Sequence, residues 1–220
     1  MKKLLIFLIT LLLFSGIVST TTAKNKKQEK QLYTAYNIWV LKEANMKCIN
    51  FKTGKRIIPA GTPVSHVRKV YIIDQTGMEH TVRGAASGYN YHEKIRFRVE
   101  GQRRRVRIGY ESRYHRGTKI EEYIPRMFTE KTFEEQTVGM TEMEITAIKN
   151  GVLVEGMSKK AVLMSYGYPP EHKTPSLDDP DWYYWMNKRE VKKICFNENK
   201  RTVRCEKRIK TKTNKIEDTL

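Results

Sequence analysis

The chain has few of the residues from which catalytic and metal sites are built. Its cysteines are Cys48, Cys195 and Cys205, and no two of them have the spacing of a metal-ligand pair. The five histidines are scattered and form no paired motif. No Ser, Cys or Thr lies in a recognisable nucleophile motif, and no acid/base pair emerges. We therefore expect neither an enzyme nor a metal or cofactor site.

Long apolar runs are also absent beyond the first residues. Two lysines precede an apolar run over residues 4–14, and Thr21 and Ala23 supply small residues at the −3 and −1 positions of a cleavage site. This run is shorter than the roughly 20 residues that a membrane-spanning helix needs. The pattern predicts a secretory signal peptide over residues 1–23, with no transmembrane segment left after cleavage.

No cysteine occurs before Cys48, so the lipobox of a lipoprotein is missing. We expect a periplasmic or secreted protein, at most peripheral to the outer membrane. It would begin with a basic segment at residues 24–31.

Acidic residues are scarce: the chain has 24 of them and 42 basic residues, for a formal net charge of +18. Without residues 1–23 the charge is +16. In a cytosolic protein such a charge would suggest nucleic acid. In an exported protein the anionic partners are lipid headgroups, polysaccharides or an acidic protein. We therefore predict an envelope protein partner, with anionic lipid or polysaccharide as a second class, and no nucleic acid.

The distribution of turn residues and apolar periodicity predicts an α+β chain of several parts. Residues 32–114 show strand patterns broken by turns, typical of a small barrel-like β module. Residues 115–140 are rich in Glu and indicate a linker with partial helix. Residues 141–206 alternate helix and strand signals, and residues 207–220 indicate a disordered tail.

Two helices in the third part carry their own start and stop signals. Thr141 with Glu144 forms the pattern of a capping box, and Gly151 suits the position after the last turn. Ser158 is the expected N-cap of the next helix, which Gly167 ends. Its predicted inner face consists of Ala161, Val162 and Met164.

This part resembles a known family. The stretch "AIKNGVLVEGMSKKAVLMSYGYPP", followed by "DWYYWMN" and "KKICFNENKRTVR", is similar to the SmpA/OmlA family of BamE-like outer-membrane assembly factors, within residues 141–206. The resemblance implies two helices on an antiparallel meander, in a non-enzymatic envelope module that binds other proteins. This chain departs from the family in two ways. It lacks the lipobox cysteine, and its N-terminal part has no counterpart in the family. The matching positions are Gly156, Met157, Ser158, Val162, Gly167, Pro169, Trp182, Tyr184, Phe196 and Val203.

The N-terminal part carries a second resemblance. The run from Ile58 through Pro59, Ala60 and Gly61 to Thr62 is similar to the strand-turn-strand of bacterial Src-homology-like barrels in exported proteins. That likeness implies binding of wall peptides or of other proteins.

An arginine-rich hairpin is the most informative surface. In "KIRFRVEGQRRRVRIGY", a two-residue turn at Gly101-Gln102 would place Arg98 opposite Arg105 and Arg96 opposite Arg107. These like charges would repel across the strands unless something anionic lies on that face. The candidates are the acids of "KIEEY" and "TFEEQ", an external anionic ligand or plain solvent. The opposite face would be apolar, with Ile95, Phe97, Val106 and Ile108.

Four consecutive aromatic residues should divide between the two faces of a strand. One pair from Trp182, Tyr183, Tyr184 and Trp185 would lie in the core. The other pair, with Pro169 and Pro170, would form either an apolar contact surface or a packed contact with the N-terminal part.

The terminal hairpin allows two registers. A two-residue turn at Asn199-Lys200 would pair Phe196 with Val203 and would direct Cys195 and Cys205 to opposite faces, which favours a disulfide from one of them to Cys48. One more loop residue would pair Cys195 with Cys205. We favour the first register.

These features predict a non-enzymatic binding or adaptor protein of the cell envelope that assists outer-membrane protein assembly or envelope integrity. One alternative is an electrostatic binder of anionic lipid or polysaccharide through Arg96, Arg98, Arg105 and Arg107. Another is an inhibitor of an envelope enzyme, because related two-helix modules occur in β-lactamase inhibitor proteins.

Overall fold

The computed structural model describes residues 30–40, 51–52, 56–73, 79–80, 91–187 and 189–205. The predicted signal peptide, Cys48 and the predicted tail lie outside these ranges, as does most of the basic segment. The chain is α+β, with three antiparallel sheets. The strands are β1 (Leu32–Thr34), β2 (Ile38–Val40), β3 (Arg56–Ile58), β4 (Pro63–Ile73), β5 (Glu79–His80), β6 (Tyr91–Val99), β7 (Arg105–Gly109), β8 (Phe128–Thr129), β9 (Asp181–Trp185), β10 (Val191–Phe196) and β11 (Thr202–Val203). The helices are α1 (Ile120–Met127), α2 (Phe133–Thr137), α3 (Glu142–Asn150) and α4 (Lys159–Tyr166), with a 3₁₀ turn at Ser112–Tyr114.

The first module is built on the largest sheet, in which the strands follow the order β7-β6-β4-β1-β8 and β5 pairs with β4. One face of this sheet and helix α1 enclose the first core, which includes Val64, Ile95, Phe97 and Ile108. Strands β7 and β8 are the two ends of the order, so the described strands form an open sheet. The barrel predicted for residues 32–114 does not close within them.

The predicted linker at residues 115–140 belongs largely to the first module. Ile120, Tyr123 and Met127 are each at most 2% exposed in the first core, with the spacing of one apolar helix face. Phe128 follows them and pairs with Thr34 of β1. The Glu-rich composition conceals this stripe, which is why the segment resembles a linker.

The second module packs α3 and α4 against the meander β9-β10-β11. The predicted caps are confirmed: Thr141 and Glu144 form a capping box, Gly151 adopts φ +63° and Ser158 caps α4. Of the positions that carry the family resemblance, Met157, Val162 and Phe196 lie in the second core, whereas Val203 is exposed.

Buried contacts join the two modules. Asn37 is fully buried; its Nδ2 donates to the carbonyl of Ile148 at 2.6 Å and its Oδ1 accepts from the amide of Ala60 at 2.8 Å. Gly167 has φ +77°, and a Cβ there would lie 2.7 Å from the Tyr36 ring. The end of α4 therefore requires glycine both for its backbone conformation and for its close approach to the first module.

The terminal hairpin adopts neither predicted register. Cys195 pairs with Val203, and a three-residue loop ends at Lys200, whose φ is +56°. Residues 203 and 205 point to the same face, so Cys205 reaches Cys195, and the two form a disulfide with Cα atoms 5.3 Å apart. The predicted Phe196–Val203 pair is wrong, and a disulfide from either cysteine to Cys48 is excluded.

Candidate anionic-ligand surface

Five arginines lie on one face of the first sheet, on neighbouring strands. Arg98 is opposite Arg105, and Arg96 is opposite Arg107 on one side and Arg68 on the other. We call these five residues the arginine face. The register predicted for the β6–β7 hairpin is confirmed. The other side of the hairpin lies in the first core, with Ile95, Phe97 and Ile108 at most 1% exposed.

The turn of this hairpin differs from the predicted one. The amide of Gln102 donates to the carbonyl of Val99 at 3.1 Å, so Glu100 and Gly101 are the central residues. Gly101 has φ +73°, as the second central position of a type II turn requires. The register survives this difference because burial of the apolar face fixes it independently of the turn.

The opposed arginines occupy the closest cross-strand positions. The amide of Tyr110 donates to the carbonyl of Glu93 at 2.8 Å, which makes that pair a hydrogen-bonded one. Positions alternate along an antiparallel ladder, so Arg98 and Arg105 form a non-hydrogen-bonded pair, with Cα atoms about 4.5 Å apart. Like charges opposed in this way destabilise the hairpin.

Burial divides the arginine face. Arg96 is only 4% exposed, so little of its side chain is accessible to an external ligand. Arg98 is half-buried, and its Nε is shielded and makes no hydrogen bond within the described residues. Arg68, Arg105 and Arg107 are exposed.

Arg68 is the member that the sequence pattern does not reveal. Strand β4 contains a bulge between Ser65 and Arg68, where His66 adopts φ +55°. The extra residue shifts the alternation of side chains by one position. Uninterrupted alternation from Val64 would place Arg68 on the core side.

The acids proposed to neutralise this face have other partners. Glu121 forms an ion pair with Lys69 at 2.9 Å, and Lys69 also pairs with Glu93. Burial lowers the pKa of Lys69, but hydrogen bonds to these carboxylates outweigh it and raise the pKa above its usual value. Glu122 and Glu135 accept amide protons at the starts of α1 and α2. These three carboxylates are therefore engaged away from the arginine face.

The aromatic cluster divides as alternation predicts. Trp182 and Tyr184 are fully buried in the second core, whereas Tyr183 and Trp185 are half-buried on the other side of β9. Pro169 and Pro170 are buried, so they do not extend an exposed apolar surface.

Trp185 takes part in a junction with the first module. Its Nε1 donates to Nε2 of His172 at 3.3 Å, and Nδ1 of His172 lies 3.4 Å from the carbonyl oxygen of Tyr114. These contacts require the neutral imidazole with its proton on Nδ1. Burial lowers the pKa of His172, which favours this neutral form. The half-buried side of the cluster is therefore partly covered by the chain itself.

Glu144 is the most strongly engaged carboxylate of the second module. Its side chain is 1% exposed and accepts from Nη1 of Arg201 and from the amide of Ser158, both at 2.7 Å, and from the amide of Thr141 at 2.9 Å. Burial raises the pKa of Glu144, but these donors outweigh it and hold the pKa at about 2. Every donor belongs to the fold, so this charge serves structure.

Lys52 is a buried cation, and no acid lies beside it among the residues that the structure describes. It is 5% exposed, donates to the carbonyl of Tyr166, and has its Nζ 5.5 and 5.7 Å from the ring centres of Tyr166 and Tyr184. Burial lowers its pKa well below the usual value. No sequence signal distinguishes this lysine from the exposed ones.

Within the described ranges, no cluster of three or more His, Cys, Asp or Glu side chains could hold a metal ion. Nor does any helix of that part have the length and apolarity needed to cross a membrane. Neither a protein-family model, nor a curated protein, nor a solved structure matches this chain.

Proposed function

We propose that this protein is a non-enzymatic binding protein of the cell envelope that attaches to polyanionic lipid or polysaccharide through its arginine face. The opposed pair Arg98–Arg105 carries the proposal. Each such pair costs the fold about 0.2–1 kcal/mol by like-charge repulsion. A bound polyanion offsets this cost, and exposed Arg107 and Arg68 extend the contact beyond the pair.

The net charge, +18 for the whole chain and +16 without residues 1–23, supports the same function at longer range. A strongly basic protein is drawn towards anionic surfaces, and salt weakens the attraction within a Debye length of about 10 Å at 0.1 M. Diffuse attraction would depend on the total charge alone. Binding through the arginine face depends on where the charge lies.

Vesicle co-sedimentation separates these two cases. We expect binding to vesicles containing phosphatidylglycerol, little binding to neutral phosphatidylcholine, and a decline between about 0.1 M and about 0.5 M NaCl. The variant R68Q/R98Q/R105Q/R107Q should bind at least about tenfold more weakly, because it loses several charge-assisted contacts.

The matched control is K131Q/K160Q/R189Q/K192Q, which removes the same charge from exposed positions outside the arginine face. It should retain binding within about threefold. Equal loss in both variants would leave only diffuse attraction, and unchanged binding in the face variant would remove the proposal altogether.

The envelope location is part of the proposal and rests on the pattern of residues 1–23. Cell fractionation should recover the protein with periplasmic or secreted material, with an amino terminus near Lys24. A cytosolic chain of unaltered length would contradict this location.

A second candidate function is that of an adaptor in outer-membrane protein assembly. Its support is the packing of α3 and α4 on the β9-β10-β11 meander, the arrangement that the resemblance to the SmpA/OmlA family implies. Met143, Val154 and Val203 are exposed apolar residues of this module. A photo-crosslinker at Val154 or Val203 in intact cells should capture an assembly protein, whereas one at Lys160 should not. Identical adducts from all three positions would contradict this role.

A further inference from the structure

The arginine face uses arginine in a chain that otherwise favours lysine. The whole sequence has 26 lysines and 16 arginines. Two rows of residues paired across the strands nevertheless carry arginine as their only cation: residues 68, 96 and 107 in one row, and residues 98 and 105 in the other. Lysine would supply the same charge. Only arginine presents a planar fork of N–H donors that binds an oxyanion through two parallel hydrogen bonds. The choice of residue therefore indicates recognition of a particular group.

Two arginine forks can converge on one anion at the end of β6. Arg98 and Arg105 form a non-hydrogen-bonded pair, in which side chains approach most closely. Arg98 is half-buried with its Nε shielded from solvent, so it would donate to an external anion through its two terminal nitrogens. Arg105 is exposed beside it.

We propose that Arg98 and Arg105 together bind a terminal phosphate, that is, a phosphomonoester, at the membrane or polysaccharide surface. This inference rests on the proposed function and specifies its ligand. A phosphomonoester carries a charge of about −1.5 to −2 and three terminal oxygens. It can accept from both forks and neutralise both cations. A phosphodiester has two such oxygens and one charge, and a carboxylate likewise, so each matches one fork and leaves the other arginine uncompensated.

The first test compares vesicles of equal surface charge whose anionic lipid is phosphatidic acid, phosphatidylglycerol or oleate. These lipids present a phosphomonoester, a phosphodiester and a carboxylate. Wild-type protein should bind phosphatidic acid about tenfold more tightly than the other two, which corresponds to one additional charge-assisted interaction. Equal affinity for all three would overturn the inference while leaving the proposed function intact. Absence of binding to every anionic vesicle would remove both.

The pH dependence supplies a second readout. The second pKa of a phosphomonoester is about 6, so lowering the pH from about 7.5 to about 5 removes nearly one charge from phosphatidic acid and none from the diester. Arginine stays charged throughout. The preference for phosphatidic acid should shrink over this range, and a preference that is independent of pH would contradict a phosphomonoester ligand.

The charge-preserving variant R98K/R105K tests the fork geometry directly. It keeps the net charge but loses bidentate donation, so the tenfold preference should fall to about one while phosphatidylglycerol binding persists. The matched control R103K/R104K lies in the adjacent turn and should keep the preference. The single variant R105K covers the case in which the half-buried Arg98 does not tolerate substitution, because it changes only an exposed residue. It should also reduce the preference for phosphatidic acid. Full preference in both lysine variants would overturn the inference.

Soluble glycerol phosphate distinguishes the source of the group. Displacement from phosphatidic acid vesicles at millimolar concentration would show that the phosphomonoester alone suffices, as for a phosphorylated sugar. Binding that resists this competitor but still requires both arginines would assign the site to the lipid headgroup at the membrane surface. Displacement that is equally strong with the same concentration of acetate would instead contradict selective phosphate recognition.

Discussion

Two arginines, one from each module, lie in opposite electrostatic surroundings. In the second module, Arg201 lies 2.7 Å from the buried carboxylate of Glu144, and that carboxylate also accepts the amide protons of Ser158 and Thr141. In the first module, Arg98 lies opposite another arginine, Arg105. The first arrangement contributes to stability, whereas the second reduces it. The proposed binding function would account for charges that are placed at a cost to the fold.

The largest expected effect concerns Glu144, the carboxylate that pairs with Arg201 in the second module. Glu144→Gln removes the charge that Arg201 and two amides require, and we expect it to destabilise the protein by about 3–5 kcal/mol. Urea unfolding measures the change. Glu155→Gln is the matched control, because Glu155 is exposed and lies 3.8 Å from Arg204, which is also exposed; it should cost less than about 0.5 kcal/mol. Similar costs for both variants would contradict a structural role for Glu144.

The same residue predicts the acid response of the fold. Glu144 has a folded pKa of about 2, below its unfolded value of 4.5, so its contribution is fully present above pH 4.5 and is lost as the pH falls through about 2. Wild-type stability should decline across this window more steeply than that of Glu144→Gln. Parallel pH profiles would show that another group controls acid unfolding.

The disulfide is the next largest contribution to the second module. The double variant C195S/C205S opens a loop of ten residues, and we expect a loss of about 2–3 kcal/mol. The measurement is urea unfolding in a Cys48→Ser background, which removes thiol exchange with the third cysteine. A reductant should then destabilise the background protein and leave the double variant unchanged. Sensitivity of both to the reductant would contradict the observed pairing.

Lys52 tests whether a buried cation weakens the junction between the modules. Its folded pKa lies below the unfolded value of 10.5, so the unfolded chain binds more protons and stability rises as the pH increases towards 10.5. Lys52→Met keeps the length of the side chain and should stabilise the protein at pH 7 by about 1–3 kcal/mol. The advantage should shrink at about pH 10. The exposed control Lys160→Met should show neither effect, and a less stable Lys52→Met would indicate that the amine is required for packing.

Local signals in the sequence predict much of the fold. The capping box of Thr141 and Glu144, the N-cap Ser158 and the terminator Gly167 all lie where the sequence places them, because each interaction spans only a few residues. The pairing of Arg98 with Arg105 is equally predictable, since alternation of apolar residues fixes the register.

Features that depend on distant parts of the chain are not predictable in this way. The register of the terminal hairpin depends on the left-handed backbone conformation of Lys200. Lysine rarely adopts this conformation, so the sequence does not predict it. The bulge at His66 moves Arg68 to the arginine face, and only pairing with β6 reveals it. The burial of Arg96 likewise follows from tertiary packing, which the alternation of residues along β6 does not show.

The smallest expected effect concerns the opposed pair Arg98–Arg105 of the first module. Arg105→Gln removes one charge of the opposed pair and should stabilise the protein by about 0.2–1 kcal/mol, because the repulsion disappears. Salt screens repulsion between exposed charges, so the difference between variant and wild type should narrow from about 0.05 M to about 0.5 M NaCl. Lys192→Gln is the control, since Lys192 is exposed and lies opposite the uncharged Tyr184. An equal gain in both variants would attribute it to the net charge of the chain. A loss of stability in Arg105→Gln alone would mean that Arg105 supports the hairpin, and the contrast between stabilising and binding arginines would fail.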